Sequence, residues 1–564
     1  MERKKSNILS HRPESIIFIF LIGLVSVLLN FTFSHNSFAE YKATLSASVN
    51  EDTAAINGTE VIESSSETAE HNINLKVKTT NKTGYTATLS SKTDETALLN
   101  TNPAITTKIS SISSASSLSN FPANTWGYSF NTNTNFNPIP ALSASANLIH
   151  TTAKSTSEEN HTIKLGMKLN SSLKPGNYEN KLIISVVSNP YTPKAVMTEG
   201  PDFNSKLKSL ETATDKIEHF KKSPVAPTAS MNTVNIEDEE SECEIKLWLD
   251  PTDKTAYYYT EPEKVYLNED SSEMFYTEYY EQEIKNILEI DLSNFDTSQV
   301  TNMREMFYDM HNLTALDLSN FDTSKVTDMS SMFYRVSNLT TLDLSNFDTS
   351  QVTDMNRMFY VMHNLTALDL SNFDTSKVTN MGYMFRDMHN LTSLNLSSFD
   401  TSKVTNMIDM FTNIYNLTTL DLSNFNTSNV TNMDGMFTGM HSLTTLDLSN
   451  FDTSQVTDMS DMFEYMSNLT TLDLSNFDTS QVTDMNHMFY LEDKNILKDK
   501  LEKIYVNNDF NTSQLTGFSN MFGNRRKLRG GAGSFLTDPS TADKTWLRID
   551  DPTNGRPGYF TRKP

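Results

Sequence analysis

Six aspartates recur at one position of a repeated phrase, and their type and spacing suit the binding of positive charge. Each stands between two leucines, and a serine follows the second leucine, as in LDLS. A row of carboxylates repels itself, and the repulsion falls when a cation or a basic surface arrives. We predict that this row faces outward and binds a basic protein surface or weakly holds Ca²⁺; the alternative is a face that only aids solubility. The row consists of Asp317, Asp343, Asp369, Asp421, Asp447 and Asp473.

A partial histidine column occurs in the same repeats, each histidine lying two residues before a leucine. Its members are His311, His363, His389 and His441. His363 and His389 fall on adjacent repeats, so they have the spacing to share a metal ion or to respond to pH. The alternative is a set of exposed turn residues.

Catalytic motifs are missing from the sequence. It contains no HExxH, GxSxG, CxxC or P-loop pattern, and the glycine-rich stretch at 529–533 lacks the Lys-Ser/Thr of a phosphate cradle. We therefore predict that the protein is not an enzyme and has no cofactor and no metal centre.

A 26-residue repeat must position these side chains. Phenylalanine recurs in LSNF or LSSF at that interval (321 − 295 = 26). Within one unit, residues 313–318 have the apolar spacing of a short strand, and residues 326–333 have that of one helical face. A fixed period of this size predicts a solenoid with parallel strands along it. The phenylalanines are Phe295, Phe321, Phe347, Phe373, Phe399, Phe425, Phe451 and Phe477.

One unit alone cannot fold, because its few apolar side chains do not offset the entropy of ordering its backbone. Stacking pairs the strands and forms ladders of leucine, phenylalanine and methionine, so the abundant methionine is predicted to be core. The ends differ from the regular units: Phe489 and Phe522 are 33 residues apart. The residues that flank the repeats are predicted to cap the open edges.

The N-terminal third of the sequence has a different pattern, which predicts a separate domain. Apolar and polar residues alternate at 73–78, 126–130, 163–169 and 182–186, which is typical of strands with one buried face. We predict an all-β sandwich. Residues 203–222 have a loose helical spacing, and an acidic run follows them, so this part is predicted to be a linker.

Export is predicted from the start of the chain. Basic residues precede an apolar run over 16–29, and Ser37-Phe38-Ala39 provides a cleavage site. The alternative is an uncleaved membrane anchor.

The formal net charge of −25 argues against a nucleic-acid partner, and the single Cys243 excludes an internal disulfide.

The repeat phrases FDTSKVTDMSSMF and NLTTLDLSNFDTS resemble the BspA-type leucine-rich repeats of bacterial surface proteins, the DUF285 family. The resemblance covers roughly residues 243–564 and implies a leucine-rich-repeat fold at the cell surface with a role in adhesion or protein binding. One departure is that the usual asparagine slot holds Phe321 and its equivalents, so a ladder at that slot is absent. The family shares a scaffold, and no functional residue is carried over.

The predicted fold class is an α/β leucine-rich-repeat solenoid preceded by an all-β sandwich. The predicted segments are a signal peptide (1–39), a β-sandwich domain (40–190), a helical and acidic linker (191–242), an N-terminal cap (243–290), the leucine-rich-repeat solenoid (291–522) and a C-terminal cap (523–564).

Two functions fit this organisation. The first is a secreted or surface-held adhesin that binds a protein on a host or neighbouring cell, without nucleic acid, and contacts a membrane only through an uncleaved N-terminal segment. The second is a structural, self-associating surface-layer component without a specific ligand.

Overall fold

The computed structural model describes residues 44–50, 67–144, 147–278 and 280–564. The chain forms two compact units, divided between Pro193 and Lys194. The predicted signal peptide lies outside the described residues. Within the described ranges, no helix is long and apolar enough to cross a membrane.

The N-terminal unit is built from strands. They are β1 (Leu45–Val49), β2 (Glu67–Thr79), β3 (Tyr85–Ser91), β4 (Leu98–Asn100), β5 (Lys108–Ser111), β6 (Ser116–Ser117), β7 (Thr125–Phe130), β8 (Asn135–Phe136), β9 (Asn147–Thr151), β10 (Thr156–Leu169), β11 (Tyr178–Glu179) and β12 (Leu182–Ser188). One sheet has the order β1-β2-β10-β7-β5-β4-β11, and a second has the order β12-β3-β9. Strands β6 and β8 form a separate pair. A single 3-10 turn, Leu118–Asn120, precedes β7.

The two larger sheets of this unit share one hydrophobic core. In β2 the apolar residues Ile73, Leu75 and Val77 are buried and the polar residues between them are exposed. They belong to one cluster with Tyr85 of β3 and Ile184 of β12, which lie in the other sheet. Alternation therefore places one apolar face of each sheet in the shared core, because successive strand residues point to opposite faces.

The second unit begins with a mixed region before the repeats. It contains one helix, α1 (Gly200–Lys208), and short strands. The strands are β13 (Ala195–Val196), β14 (His219–Lys222), β15 (Val234–Asn235), β16 (Lys246–Asp250), β17 (Thr255–Tyr259), β18 (Val265–Tyr266), β19 (Glu289–Ile290) and β20 (Phe295–Asp296). They form the sheets β15-β16-β17-β14-β19 and β13-β18-β20.

Residues assigned to a linker by sequence lie in the core of this region. Phe203 of α1 and Phe220 of β14 are buried and make edge-on contacts with Phe275. The helix ends at Lys208, and the chain continues as turns into β14, which pairs with β17 and β19. This stretch is therefore part of the packed start of the repeats.

The repeats stack in parallel register at 26-residue intervals. Single parallel bridges join Asp328 to Asp354 and Asp354 to Asn380, and they continue along the stack. Regular strands are short and few: β21 (Ala367–Asp369) pairs with β22 (Ser393–Asn395), and β23 (Thr471–Asp473) lies near the end. We call this arrangement the repeat stack.

The predicted α/β leucine-rich-repeat solenoid is wrong. Among the described residues the one α-helix is α1, which precedes the repeats, and the strands belong to several separate sheets. In each repeat the segment predicted as a helical face is a series of turns. The chain is mostly β-structure and turns, and no continuous parallel sheet with a helical side is present in the described ranges.

Backbone conformation explains why the helical spacing does not produce a helix. Ser331 and Arg335 both have a φ of 56°, which a right-handed helix does not allow. The N–H groups of these two residues donate to Asn356 O and Tyr360 O of the next repeat, at 2.8 Å each. The intervening Tyr334 N–H donates within its own repeat to Ser331 O at 3.1 Å. Alternate N–H groups thus bond between repeats, and the N–H groups between them bond within their own repeat, so both sets of donors are satisfied without a helix.

The apolar residues of the repeats form continuous columns, as predicted. Phe307, Phe333 and Phe359 stack with centroid separations of 5.9 and 5.8 Å. Met329 and Met332 are fully buried beside them, and so are their equivalents. The methionines are therefore core residues, since their unbranched side chains fill the space beside the turns.

Asparagines next to these columns link the repeats through the backbone. Asn346 Nδ2 donates to Leu318 O at 3.0 Å and to Phe321 O at 2.9 Å in the preceding repeat. The position of Phe321 and its equivalents has no asparagine. The asparagines one residue earlier instead form a ladder of hydrogen bonds along the stack. Ser398 replaces asparagine once and makes one such bond, to Leu370 O at 3.0 Å.

The C-terminal end of the stack is closed by β24 (Lys503–Val506) and β25 (Phe560–Arg562), which extend β23 in parallel. The insertion between Phe489 and Phe522 contains a 3-10 turn at Asp493–Lys498. Three further 3-10 turns lie at Pro539–Thr541, Lys544–Trp546 and Pro552–Asn554. Because β24 pairs with β23 and β25 pairs with β24, the edge of β23 does not stay open.

Candidate binding face

The six predicted aspartates occupy equivalent positions of the repeat stack, and we call them the aspartate column. Five are exposed, and Asp473 is half-buried. Asp369 pairs in register with Asn395 of the next repeat, and Asp473 pairs with Tyr505. Because the repeats stack in parallel, equivalent side chains follow one another at the strand spacing of about 4.8 Å.

Each carboxylate of the column caps a turn. Asp317 Oδ1 accepts the N–H of Ser319 at 2.9 Å, and the other five accept the N–H of the serine two residues later at 3.0 Å. These backbone bonds favour the charged form, so they lower the pKa of Asp317, Asp343 and Asp369 below the usual value. The pKa of Asp421 and Asp447 is lowered for the same reason. The column is therefore ionised at neutral pH.

One repeat interrupts the aspartate column, and one member of the column has a basic partner. Asn395 carries no charge and donates from Nδ2 to Asp369 Oδ1 at 2.9 Å. Lys563 forms an ion pair with Asp473 at 2.8 Å, and it is the one basic partner of the column among the described residues. Asp317, Asp343 and Asp421 therefore present unpaired charge to the solvent.

A shallow cleft of about 130 Å³ lies between two adjacent members of the column. Its walls include Asp421 and Asp447, together with Ser423, Ser449 and Asn450. The cleft has room for the terminus of a side chain. The two carboxylates that line it make it a suitable binding site for an ammonium or guanidinium group.

A second row of aspartates was missed by the sequence reasoning, although the repeated FDTS phrase is visible. Asp296 of the first unit begins it, and we call the six that follow the FDTS row: Asp322, Asp348, Asp374, Asp400, Asp452 and Asp478. Asp322 Oδ1 accepts the N–H of Ser324 at 3.0 Å, so this row also caps turns. Lysines accompany it, and the positive charge of Lys325 adds to the hydrogen bonds of Ser324 in lowering the pKa of Asp322. The FDTS row is thus partly neutralised, and the aspartate column is the more negative of the two.

The histidine column forms a stack of rings. His363 and His389 have centroids 4.3 Å apart and ring planes 10° apart, and Tyr415 continues the stack at 4.5 Å from His389. Burial lowers the pKa of His363, and His389 lowers it further. A metal ion lies in the plane of each imidazole that binds it, so two parallel stacked rings do not point at one ion. The geometry does not favour shared metal binding by this pair.

An acidic group in the turns near the end of the stack was also missed. Asp461, Glu464 and His487 bring ligand atoms within 4.8 Å of one another, and His487 Nδ1 lies 3.4 Å from Asp461 Oδ1. Burial raises the pKa of Glu464 to about 7, and the charge of Asp461 adds to this effect. Burial also raises the pKa of Asp434 to about 6. No single repeat signals this group, because Asp461 and Glu464 lie in one repeat and His487 lies in the next.

Comparison with known protein families gives one match. Residues 269–387, 361–446 and 441–547 match the model of a family described as Mycoplasma protein of unknown function, DUF285. No curated protein and no solved structure matches the chain. The repeat stack is therefore the part of the chain that is similar to this family.

Proposed function

We propose that this chain is an exported cell-surface protein whose repeat stack binds a protein with a basic surface through the aspartate column. The observation that supports the proposal is a row of exposed carboxylates that are held ionised by backbone hydrogen bonds. Complementary charge speeds association and selects partners, so such a row suits recognition of lysine and arginine side chains. The signal-like N-terminal sequence and the resemblance to bacterial surface proteins support the proposed location.

The character of the surrounding surface favours a polar interface. Large exposed apolar side chains in the described ranges are scattered, and none belongs to the aspartate column; they are Leu99, Leu142, Leu148, Val225, Met231, Tyr280, Leu497 and Phe535. A face that packs against itself in a permanent assembly is usually apolar. Repulsion between two identical acidic faces also opposes self-association through this column.

A pair of matched variants of the full chain tests the proposal. In the first, the six aspartates of the column are changed to asparagine; in the second, the six of the FDTS row are changed. Both lose six charges, and both keep their turn caps, because Asn395 and Asn426 cap equivalent turns naturally at 3.1 Å. Binding of each full chain to immobilised matrix proteins, to whole cells and to poly-lysine is measured by surface plasmon resonance or flow cytometry.

We expect the column variant to lose binding and the FDTS variant to keep most of it, with wild-type binding weakened by salt. Equal loss in both variants contradicts a specific face, since net charge would then explain the binding. Unchanged binding in the column variant places the partner elsewhere on the chain. Absence of binding by the wild type, together with concentration-dependent assembly in sedimentation velocity, would favour the structural surface-layer alternative.

A further inference from the structure

Three metal-ligating side chains converge in the N-terminal unit, far in sequence from the repeats. His150 lies on β9, and Glu159 and His161 lie on β10. Glu159 Oε2 is 3.6 Å from His150 Nε2 and 3.4 Å from His161 Nε2, and all three ligand atoms lie within 4.8 Å of one another. Strands β9 and β10 belong to different sheets, so the group joins the two sheets across the edge of their core.

The two distances from Glu159 Oε2 are close to those between neighbouring ligand atoms of a tetrahedral ion. Zn²⁺ binds imidazole nitrogen at about 2.0–2.1 Å, which places neighbouring ligand atoms about 3.3–3.4 Å apart. The rings of His150 and His161 are inclined by 46°, with centroids 4.3 Å apart. Inclined rings allow the in-plane nitrogen of each ring to face one ion, whereas the parallel rings of His363 and His389 do not.

Local backbone irregularities position the three side chains. The pairing of β10 with β2 changes register between Thr156 and Glu159, and the pairing of β9 with β3 changes register between Ala87 and Thr88, beside His150. Such irregularities redirect side chains and are common next to functional sites. Glu159 and His161 are two residues apart on one strand, so they share a face.

We propose that His150, Glu159 and His161 bind a divalent transition-metal ion, with Zn²⁺ as the expected occupant. Two imidazoles and a carboxylate are a donor set that suits zinc and disfavours Ca²⁺ and Mg²⁺, which take oxygen ligands. The side chain of His161 is 7% exposed, whereas those of His150 and Glu159 are 29% exposed. The more exposed side chains of His150 and Glu159 therefore give an ion access to the group from solvent.

The neighbours of the site define what binding changes. Tyr85 Oη donates to Glu159 Oε2 at 2.6 Å and lies 2.8 Å from His161 Nε2. Asn131 Nδ2 lies 3.2 Å from His161 Nδ1, and Asn131 Oδ1 accepts the N–H of Thr162 at 2.9 Å. The amide thus donates to Nδ1, which places the proton of the neutral imidazole on Nε2.

Metal binding at Nε2 moves that proton to Nδ1. The bond between His161 and Tyr85 is then lost, and Nδ1 becomes a donor that faces the amide of Asn131. Ligating histidines usually donate the second N–H to a carboxylate or carbonyl, and that acceptor strengthens metal binding. An aspartate at position 131 supplies such an acceptor and still accepts the N–H of Thr162. The wild-type site therefore binds the ion less tightly than the N131D variant.

The test is titration of the tag-free full chain with Zn²⁺ by isothermal calorimetry, and with Co²⁺ by visible absorption. Five variants accompany the wild type: Glu159→Gln, His150→Gln, Asn131→Asp, the matched control Glu158→Gln and a second control, His487→Gln. Glu158 precedes Glu159 on β10 and lies 3.5 Å from Lys76, outside the site. His487→Gln is the control for the acidic group of the repeat stack.

We expect one Zn²⁺ to bind the wild type, and the thermal unfolding temperature of the N-terminal unit to rise with it, because the ion links two sheets. Glu159→Gln and His150→Gln should weaken binding at least tenfold, Asn131→Asp should tighten it roughly tenfold, and Glu158→Gln and His487→Gln should not change it. The proposal is overturned if the affinity is the same in Glu159→Gln and Glu158→Gln, or if no Zn²⁺ binds. Loss of binding only in His487→Gln would assign the ion to the repeat stack and also overturn it.

Discussion

The guanidinium of Arg525 forms an ion pair with the carboxylate of Asp499, with 3.0 Å between Nη1 and Oδ1, and both side chains are excluded from solvent. Arg525 also donates to the carbonyl oxygens of Phe489 and Met466. In the regular repeat one unit earlier, the carbonyl of Met440 accepts the N–H of Leu443 at 3.3 Å. The buried arginine thus satisfies backbone groups where the insertion interrupts the repeat pattern.

Arg525→Met is expected to destabilise the repeat stack by about 3–5 kcal/mol, because it leaves the carboxylate of Asp499 buried without a partner. Arg526→Met is the matched control, since the neighbouring Arg526 is exposed. Urea denaturation of both variants measures the free energy of unfolding. Equal stability of the two variants would show that the ion pair does not support the end of the stack.

Asn424→Ala is expected to cost about 1–2 kcal/mol, because Nδ2 donates to Leu396 O at 3.0 Å and to Phe399 O at 2.6 Å. Asn424→Ser should lose about half as much, since Ser398 makes one bond at the equivalent position. Denaturant unfolding of the three proteins gives the order wild type, serine, alanine. A serine variant as unstable as the alanine variant would contradict the proposed ladder.

Val361→Asn is expected to stabilise the stack by roughly 1 kcal/mol. Val361 has a φ of 65°, a conformation that is unfavourable for a β-branched residue, and the equivalent Asn413 has a φ of 61°. Val361→Leu is the control, because leucine is not favoured in this conformation and should give little gain. Differential scanning calorimetry measures the change, and a lower unfolding temperature for Val361→Asn would refute the argument.

Stability of the repeat stack is expected to fall as the pH rises from about 4 to about 7. Burial raises the pKa of Asp434 to about 6 and that of Glu464 to about 7, so the folded state holds protons that the unfolded state has released. Unfolding then releases protons, and increasing pH favours it. The loss of stability is complete once the pH exceeds the folded-state pKa values of Asp434 and Glu464.

The double variant Asp434→Asn, Glu464→Gln should remove most of this pH dependence and raise the stability at pH 7.5 by about 1–2 kcal/mol per residue. Glu502→Gln, at an exposed position, is the control. Urea denaturation is measured at half-unit pH intervals between 4.5 and 8. A double variant that keeps the slope of the wild type would assign the pH dependence to other groups.

Apolar spacing predicted the interior of the repeats well and their backbone poorly. Met329, Met332 and Phe333 are buried as expected, because identical spacing places each side chain beside its copies. The same spacing suggested a helix, but it is equally compatible with turns that bury every third or fourth side chain. Ser331 and Arg335 adopt positive φ, and neither residue type signals this conformation.

The candidate sites show the same division. The aspartate column was predictable because its members repeat at one interval, which any stacked arrangement brings into line. Their role as turn caps follows from the bonds to serine N–H groups and needed coordinates. Glu159 and His161 alternate on one strand, but no pattern relates them to His150, which belongs to another sheet.

The sequence by itself determined the 26-residue period and the identity of the buried ladders, because these depend on local spacing and repetition. Tertiary structure alone decided where the backbone N–H groups bond, which turns replace the expected helices, and which charged groups meet. Pairing between repeats and between sheets is a long-range choice. It depends on which conformation satisfies all buried donors at once, and no single segment specifies that.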